Sequence, residues 1–106
     1  MIFEMNGRKW QIVSRESDSP DLMRSDGSFA LGVTDDSSST VYICEELSEK
    51  MLVKVITHEL VHCACFSYGV ILDIEVEEIV ADFLATYGRE VIEIADDVIK
   101  RFVKIF

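Results

Sequence analysis

Two histidines are all this chain contains, and both fall in His58-Glu59-Leu60-Val61-His62. Residues four apart on a helix lie one above the other on a single face, so two imidazoles at this spacing can bind one ion. A glutamate beside the first of them projects toward the same cleft, where it can accept a proton from water polarised by the ion. The pattern HExxH is thus suited to hydrolysis assisted by a metal ion, with Glu59 as general base.

The surroundings sharpen that reading. From Met51 to Phe66 the chain is apolar at nearly every other position, with Val53, Ile56, Leu60 and Ala64 as one stripe and Leu52, Val55, Val61 and Cys65 covering much of the rest. A helix apolar on all sides is expected to be a core helix. From Val55 onward Glu59 is its only charged residue, and burying a lone carboxylate is costly unless something compensates. Two core histidines flanking an accidental glutamate would leave that charge unexplained, whereas a metal site accounts for all three residues.

A catalytic zinc takes three protein ligands and keeps a fourth position for water. No third histidine exists, so the remaining ligand must be a carboxylate or a thiolate. The longer pattern HExxHxxGxxH is excluded, because Cys65 occupies its glycine place and Tyr68 its last histidine place. Downstream, Val76 to Tyr87 reads as a helix carrying Glu78 and Asp82 on one face, beside the small residues Ala81 and Ala85. Glu77 is a further candidate if that helix is rotated, and Asp82 could itself be the ligand. Cys63 and Cys65 are two apart on the proposed helix and cannot share an ion.

HExxH followed on the next helix by Glu78 and an acid four residues later resembles the Glu-type zincins. The compact layout is also similar to the minimal metallopeptidase-like proteins of the ImmA/IrrE family, where a Glu-x-x-Ala-(Asn/Asp) helix follows the HExxH helix; Glu78-Ile-Val-Ala81-Asp82 has that spacing. The resemblance spans Phe29 to Gly88 and implies His58, His62 and Glu78 as ligands of one zinc ion per chain. It further implies Glu59 as the base and Asp82 as the group that orients a ligand histidine. This chain departs from the family in its short connection, fifteen residues between His62 and Glu78, and in lacking a helix-turn-helix.

Hydrolysis of a peptide bond also calls for a donor to the developing oxyanion. Tyr42, Tyr68 and Tyr87 are the available phenols, and Tyr87 is nearest the ligand helix in sequence. A peptide or protein substrate is expected to lie along a strand edge, within the Phe29–Cys44 pair of strands. A metal-stabilised binding or regulatory module that hydrolyses nothing is the competing expectation.

Positioning these groups calls for an α+β fold, strands first and helices after. Ile2–Met5 and Trp10–Val13 flank Asn6-Gly7, a pair suited to a tight type I′ hairpin turn. Ser14 to Ser28, with the only proline, reads as a long loop, either a flexible connector or a flap over a cleft. Phe29–Val33 and Thr40–Cys44 read as two more strands, giving a set of N-terminal antiparallel strands. Ser48 is a natural N-cap for the HExxH helix, which should end before Gly69. A second helix is expected from Asp73 to Tyr87 with Gly88 as a break or cap, then a third, or a continuation, from Arg89 to Phe106. In that last stretch Val91, Ala95, Val98, Phe102 and Ile105 form one apolar stripe and Ile92, Ile99, Val103 and Phe106 another. Two stripes suggest burial on two sides, in the core or at an interface with a second copy or a partner protein.

At 106 residues the chain suits one zincin-like domain spanning 1–106. Its net charge of −10 argues against nucleic acid and against anionic membrane as ligands, since both need a basic face. The N-terminus lacks the basic and apolar regions of a signal peptide, and three unpaired cysteines fit a reducing compartment, so the cytoplasm is the expected location.

Overall fold

A computed structural model describes residues 1–104. The N-terminal hairpin forms as the Asn6-Gly7 pair requires: β1 (Ile2–Met5) pairs antiparallel with β2 (Arg8–Arg15), and both turn residues have positive φ, 50° and 78°. Strands β3 (Gly32–Asp35) and β4 (Thr40–Cys44) make a second antiparallel pair. The sheet order is β1-β2-β4-β3, and β2 runs parallel to β4, with Gln11 opposite Thr40 and Arg15 opposite Cys44.

The sheet is therefore mixed rather than wholly antiparallel. The connection after Arg15 returns the chain so that β3 runs opposite to β2, and β4 then inserts between them. β4 shows the mark of a central strand covered on both faces: Thr40, Val41, Ile43 and Cys44 are all buried. That connection has structure of its own, and its Arg24 reaches the cleft beside the HExxH helix. A short helical turn at Pro20–Leu22 buries Leu22 completely, and Met23 bridges to Phe29.

Helix α1 (Glu49–Tyr68) crosses the sheet. The Ser48 hydroxyl accepts from the Met51 amide at its start, and Gly69 closes it in the left-handed conformation. Val55 and Cys63 face the sheet and join Trp10, Val41 and Ile43 in the core. The hairpin is tied to the far end of α1 by Trp10, whose indole nitrogen donates to the Ser67 hydroxyl at 2.9 Å, and by Asn6, which donates to the Ser67 carbonyl. Burial of α1 is incomplete: Val53 is exposed, Leu60 packs against the core, and Leu60 and Ala64 also line an apolar groove.

Helix α2 (Ile74–Phe83) folds back along α1, with Ala81 fully buried between them. Gly88 does not end it. A wide π-helical turn at Leu84–Gly88 carries the backbone directly into α3 (Arg89–Val103), and Gly88 keeps ordinary right-handed dihedrals. Gly88 is buried in that turn beside α1, and Arg89 donates to the Thr57 hydroxyl at 2.7 Å. Beyond that bond α3 buries no residue. Of the two expected settings, burial within the chain's own core does not occur among the described residues; Ile105 and Phe106 lie outside them. Around the helix the two stripes are neighbours, and they merge into one broad apolar face.

No helix among the described residues is long and apolar enough to cross a membrane.

Candidate metal centre

α1 and α2 meet at the HExxH segment. His58, Glu59 and His62 line a cleft of about 580 Å³ together with Glu77, Glu78 and Asp82 from α2 and residues 30–34 of the β3 side. His58 and His62 stand one turn apart, with their Nε2 atoms separated by 3.2 Å. Glu78 closes the triangle: one carboxylate oxygen lies 3.0 Å from His58 Nε2 and the other 3.0 Å from His62 Nε2.

The rings are held from behind. Glu77 accepts from His62 Nδ1 at 2.5 Å, and Asp82 accepts from His58 Nδ1 at 2.8 Å. With protons on Nδ1, both Nε2 lone pairs and the Glu78 oxygens converge on one point. A cation among these electron pairs would offset their mutual repulsion. Vertices of a tetrahedron about 2 Å from its centre are separated by roughly 3.3 Å, close to the spacings found here. Four carboxylates, Glu59, Glu77, Glu78 and Asp82, surround two imidazoles, and a divalent ion would offset that excess. The donor set therefore fits a metal: the His58, His62 and Glu78 ligand atoms all lie within 4.8 Å of one another and could hold an ion.

Glu59 is buried, and its nearer oxygen lies 3.8 Å from His58 Nε2. From β3, the Thr34 hydroxyl reaches it, donating to Oε1 at 2.9 Å. Loss of water around the carboxyl raises its pKa above the ordinary value of 4.5, against the opposing pull of the Thr34 hydrogen bond and the two histidines. Gly32 makes this contact geometrically feasible. A Cβ there would come within 2.8 Å of Val55 Cγ1 and 2.9 Å of Glu59 Cγ, so only glycine lets β3 approach α1 so closely.

Tyr87 is not in the cleft. It stacks beside Phe83 at 5.4 Å between ring centroids and is half exposed. Nine positions separate it from Glu78, which places it about half a turn around the helix from the ligand face. Tyr68 lines the apolar groove, and Tyr42 lies under the Arg15 guanidinium on the sheet. The cleft's own cations are Arg24, from the connection after β2, and Lys54, one turn before His58. Spacing does not point to Arg24, Thr34 or Gly32, because Thr34 and Gly32 reach the site from β3 and Arg24 from the connection before it. Glu77, a candidate ligand by sequence, lies behind His62 instead. Lys54 could have been found, since it lies four residues before His58.

Cys44, Cys63 and Cys65 are all free and buried, and none belongs to the cluster. Burial pushes the Cys63 thiol up to about 12. Compared with protein-family models, curated proteins and solved structures, the chain matches none.

Proposed function

We propose that this protein is a zinc-dependent hydrolase of the zincin type, a peptidase of narrow specificity. The observation that carries the reading is Glu59, a buried carboxylate held by Thr34 beside the His58–His62–Glu78 cluster. A site that served only to stabilise the fold would gain nothing from a desolvated, unligated carboxylate at that position.

His58, His62 and Glu78 would hold the ion, with Glu77 and Asp82 keeping the rings in register. When bound, zinc supplies Lewis acidity, polarising a carbonyl and lowering the pKa of water. Glu59 takes the proton of the attacking water and delivers it to the leaving amine. Without an ion, desolvation raises the proton affinity of this carboxyl, the direction a proton acceptor needs. Thr34 fixes the carboxylate through both transfers. Arg24 and Lys54 supply positive charge at the cleft, the role expected earlier of a tyrosine.

A peptide substrate would add to the free edge of β3, which pairs with β4 on one side only and whose residues line the cleft. A narrow site on so small a chain favours a specific protein or peptide substrate.

Metal content by elemental mass spectrometry, wild type beside His58→Ala, tests the site; about one zinc per chain, lost in the variant, is expected. No metal in the wild type after zinc is supplied would sink the proposal. Glu59→Gln should fold and bind metal while losing peptide hydrolysis by roughly 10²–10⁴-fold. The second reading, a metal-stabilised module without hydrolysis, draws on the exposed apolar face of α3, and it gains if no peptide in a broad library is cleaved by the zinc-loaded protein.

A further inference from the structure

Helix α3 leaves the body of the molecule with its apolar face uncovered. Val91, Ile92, Val98, Ile99 and Val103 are between 47% and 62% exposed, although they occupy one continuous half of the helix surface. The molecule is correspondingly elongated, 55 Å along its long axis against 30 Å and 28 Å across. The apolar groove lined by Leu60, Val61, Ala64, Leu84 and Ile92 lies against the start of this face.

Charge along α3 is sorted by position. Glu90, Glu93, Asp96 and Asp97 occupy its first part, and Lys100, Arg101 and Lys104 its end. The only cation in the first part is Arg89, which is bonded to Thr57. A helix of this kind is complementary to itself only when a second copy runs the other way, so that each acidic half meets a basic half. Parallel pairing would set acid on acid and base on base.

The chain as a whole carries −10, which opposes association, yet from Arg89 to Lys104 four cations balance four carboxylates. α3 is thus a neutral stretch through which two strongly acidic molecules can approach. Balanced charge also disfavours an anionic lipid surface, which recruits helices whose polar face is rich in lysine and arginine.

We propose that two copies of this protein associate through α3, antiparallel and two-fold symmetric, apolar face to apolar face, with the crossing near Val98–Ile99. The inference is independent of the metal centre, whose residues lie on α1 and α2. The crossing falls there because it is midway between the acidic and basic groups. It also puts the two Val91 residues about 20 Å apart, beyond the reach of a disulfide, while the two Val98 residues nearly touch.

Sedimentation equilibrium on the full chain tests the association, and cysteine cross-linking tests its direction. A mass of twice 12.0 kDa is expected. Val98→Glu, on a face where no described residue is buried, should keep its circular dichroism and weaken association by at least about tenfold. Under mild oxidation Val98→Cys should form a cross-linked dimer, and Val91→Cys should not. A wild type that stays monomeric up to millimolar concentration overturns the proposal, as does a folded Val98→Glu that dimerises undiminished. Cross-linking through Val91→Cys would mean parallel pairing and overturns it equally.

Discussion

Glu77 holds His62 from behind, accepting from Nδ1, while its neighbour in sequence faces the other nitrogen of the same ring. Consecutive residues on a helix point about 100° apart, so α2 must lie across α1 with His62 between the two side chains. The ring is thereby fixed in tautomer and in tilt, with its Nε2 left free for an ion.

Replacing Glu77 should consequently weaken metal binding without touching a ligand. Glu77→Gln is expected to lower zinc affinity by about 10–100-fold, measured by competition with a chromophoric chelator. Asp82→Asn should fall at the lower end of that range, because the Asp82 side chain is 70% exposed and water can replace it. Equal affinity in Glu77→Gln and wild type would show that the contact does not prepare the ring.

Removing the ion should destabilise the fold, since the carboxylates around the two histidines would lose their counter-charge. At a free zinc concentration a hundred times the dissociation constant, linkage supplies about 2.7 kcal/mol. For a chain of this size that corresponds to a rise in Tm of roughly 10–20 °C, read by calorimetry with and without chelator. An unchanged Tm would count against a bound ion.

Gly32→Ala should impair both stability and chemistry. The added methyl would press on Val55 and Glu59 side chains that are packed in place, and overpacking of this kind costs about 1–3 kcal/mol. Urea denaturation should show that loss. The proposed hydrolysis should fall further than the stability change accounts for, because the displaced group is the proposed base. A variant with wild-type stability and activity would show that β3 has room to yield.

Asp35 should titrate below its ordinary value of 3.8. The Ser38 and Ser37 hydroxyls donate to its carboxylate and hold the β3–β4 turn. A lowered folded pKa means the charged form is favoured by folding. Its contribution is complete above 3.8 and is lost as pH falls through the lowered value. Carbon-detected NMR titration reads this directly; a midpoint at or above 3.8 would contradict it. Asp35→Asn should remove that part of the acid dependence of stability.

Local chemistry was legible in the sequence where one element carried the whole signal. Asn6-Gly7 announced its turn, Ser48 and Gly69 bracketed α1, and the only two histidines marked the cleft. What stayed hidden depends on how distant elements cross. Nothing in β2 or β4 alone reveals that they pair in parallel, because partner choice is made by the connection that buries Leu22. Glu77 and Glu78 are adjacent acids whose separate places follow only from the angle between α1 and α2. Gly88 looked like a helix stop because glycine often is one; buried next to Leu84 and α1, it passes the helix through a wide turn instead. The exposed face of α3 also defeated the rule that apolar stripes are buried within their own chain.

The short span from His62 to Glu78 bears on how the molecule assembles. All three prospective ligands come from a two-helix hairpin, so bringing them together closes only a short loop and forfeits little chain entropy. The sheet is different: the parallel pairing of Gln11 with Thr40 joins residues far apart in the chain, which is slow to find. A cation can therefore nucleate the α1–α2 hairpin before the sheet is complete, leaving Thr34 to reach Glu59 last. On that order of events, capture of an ion would precede the arming of the proposed base.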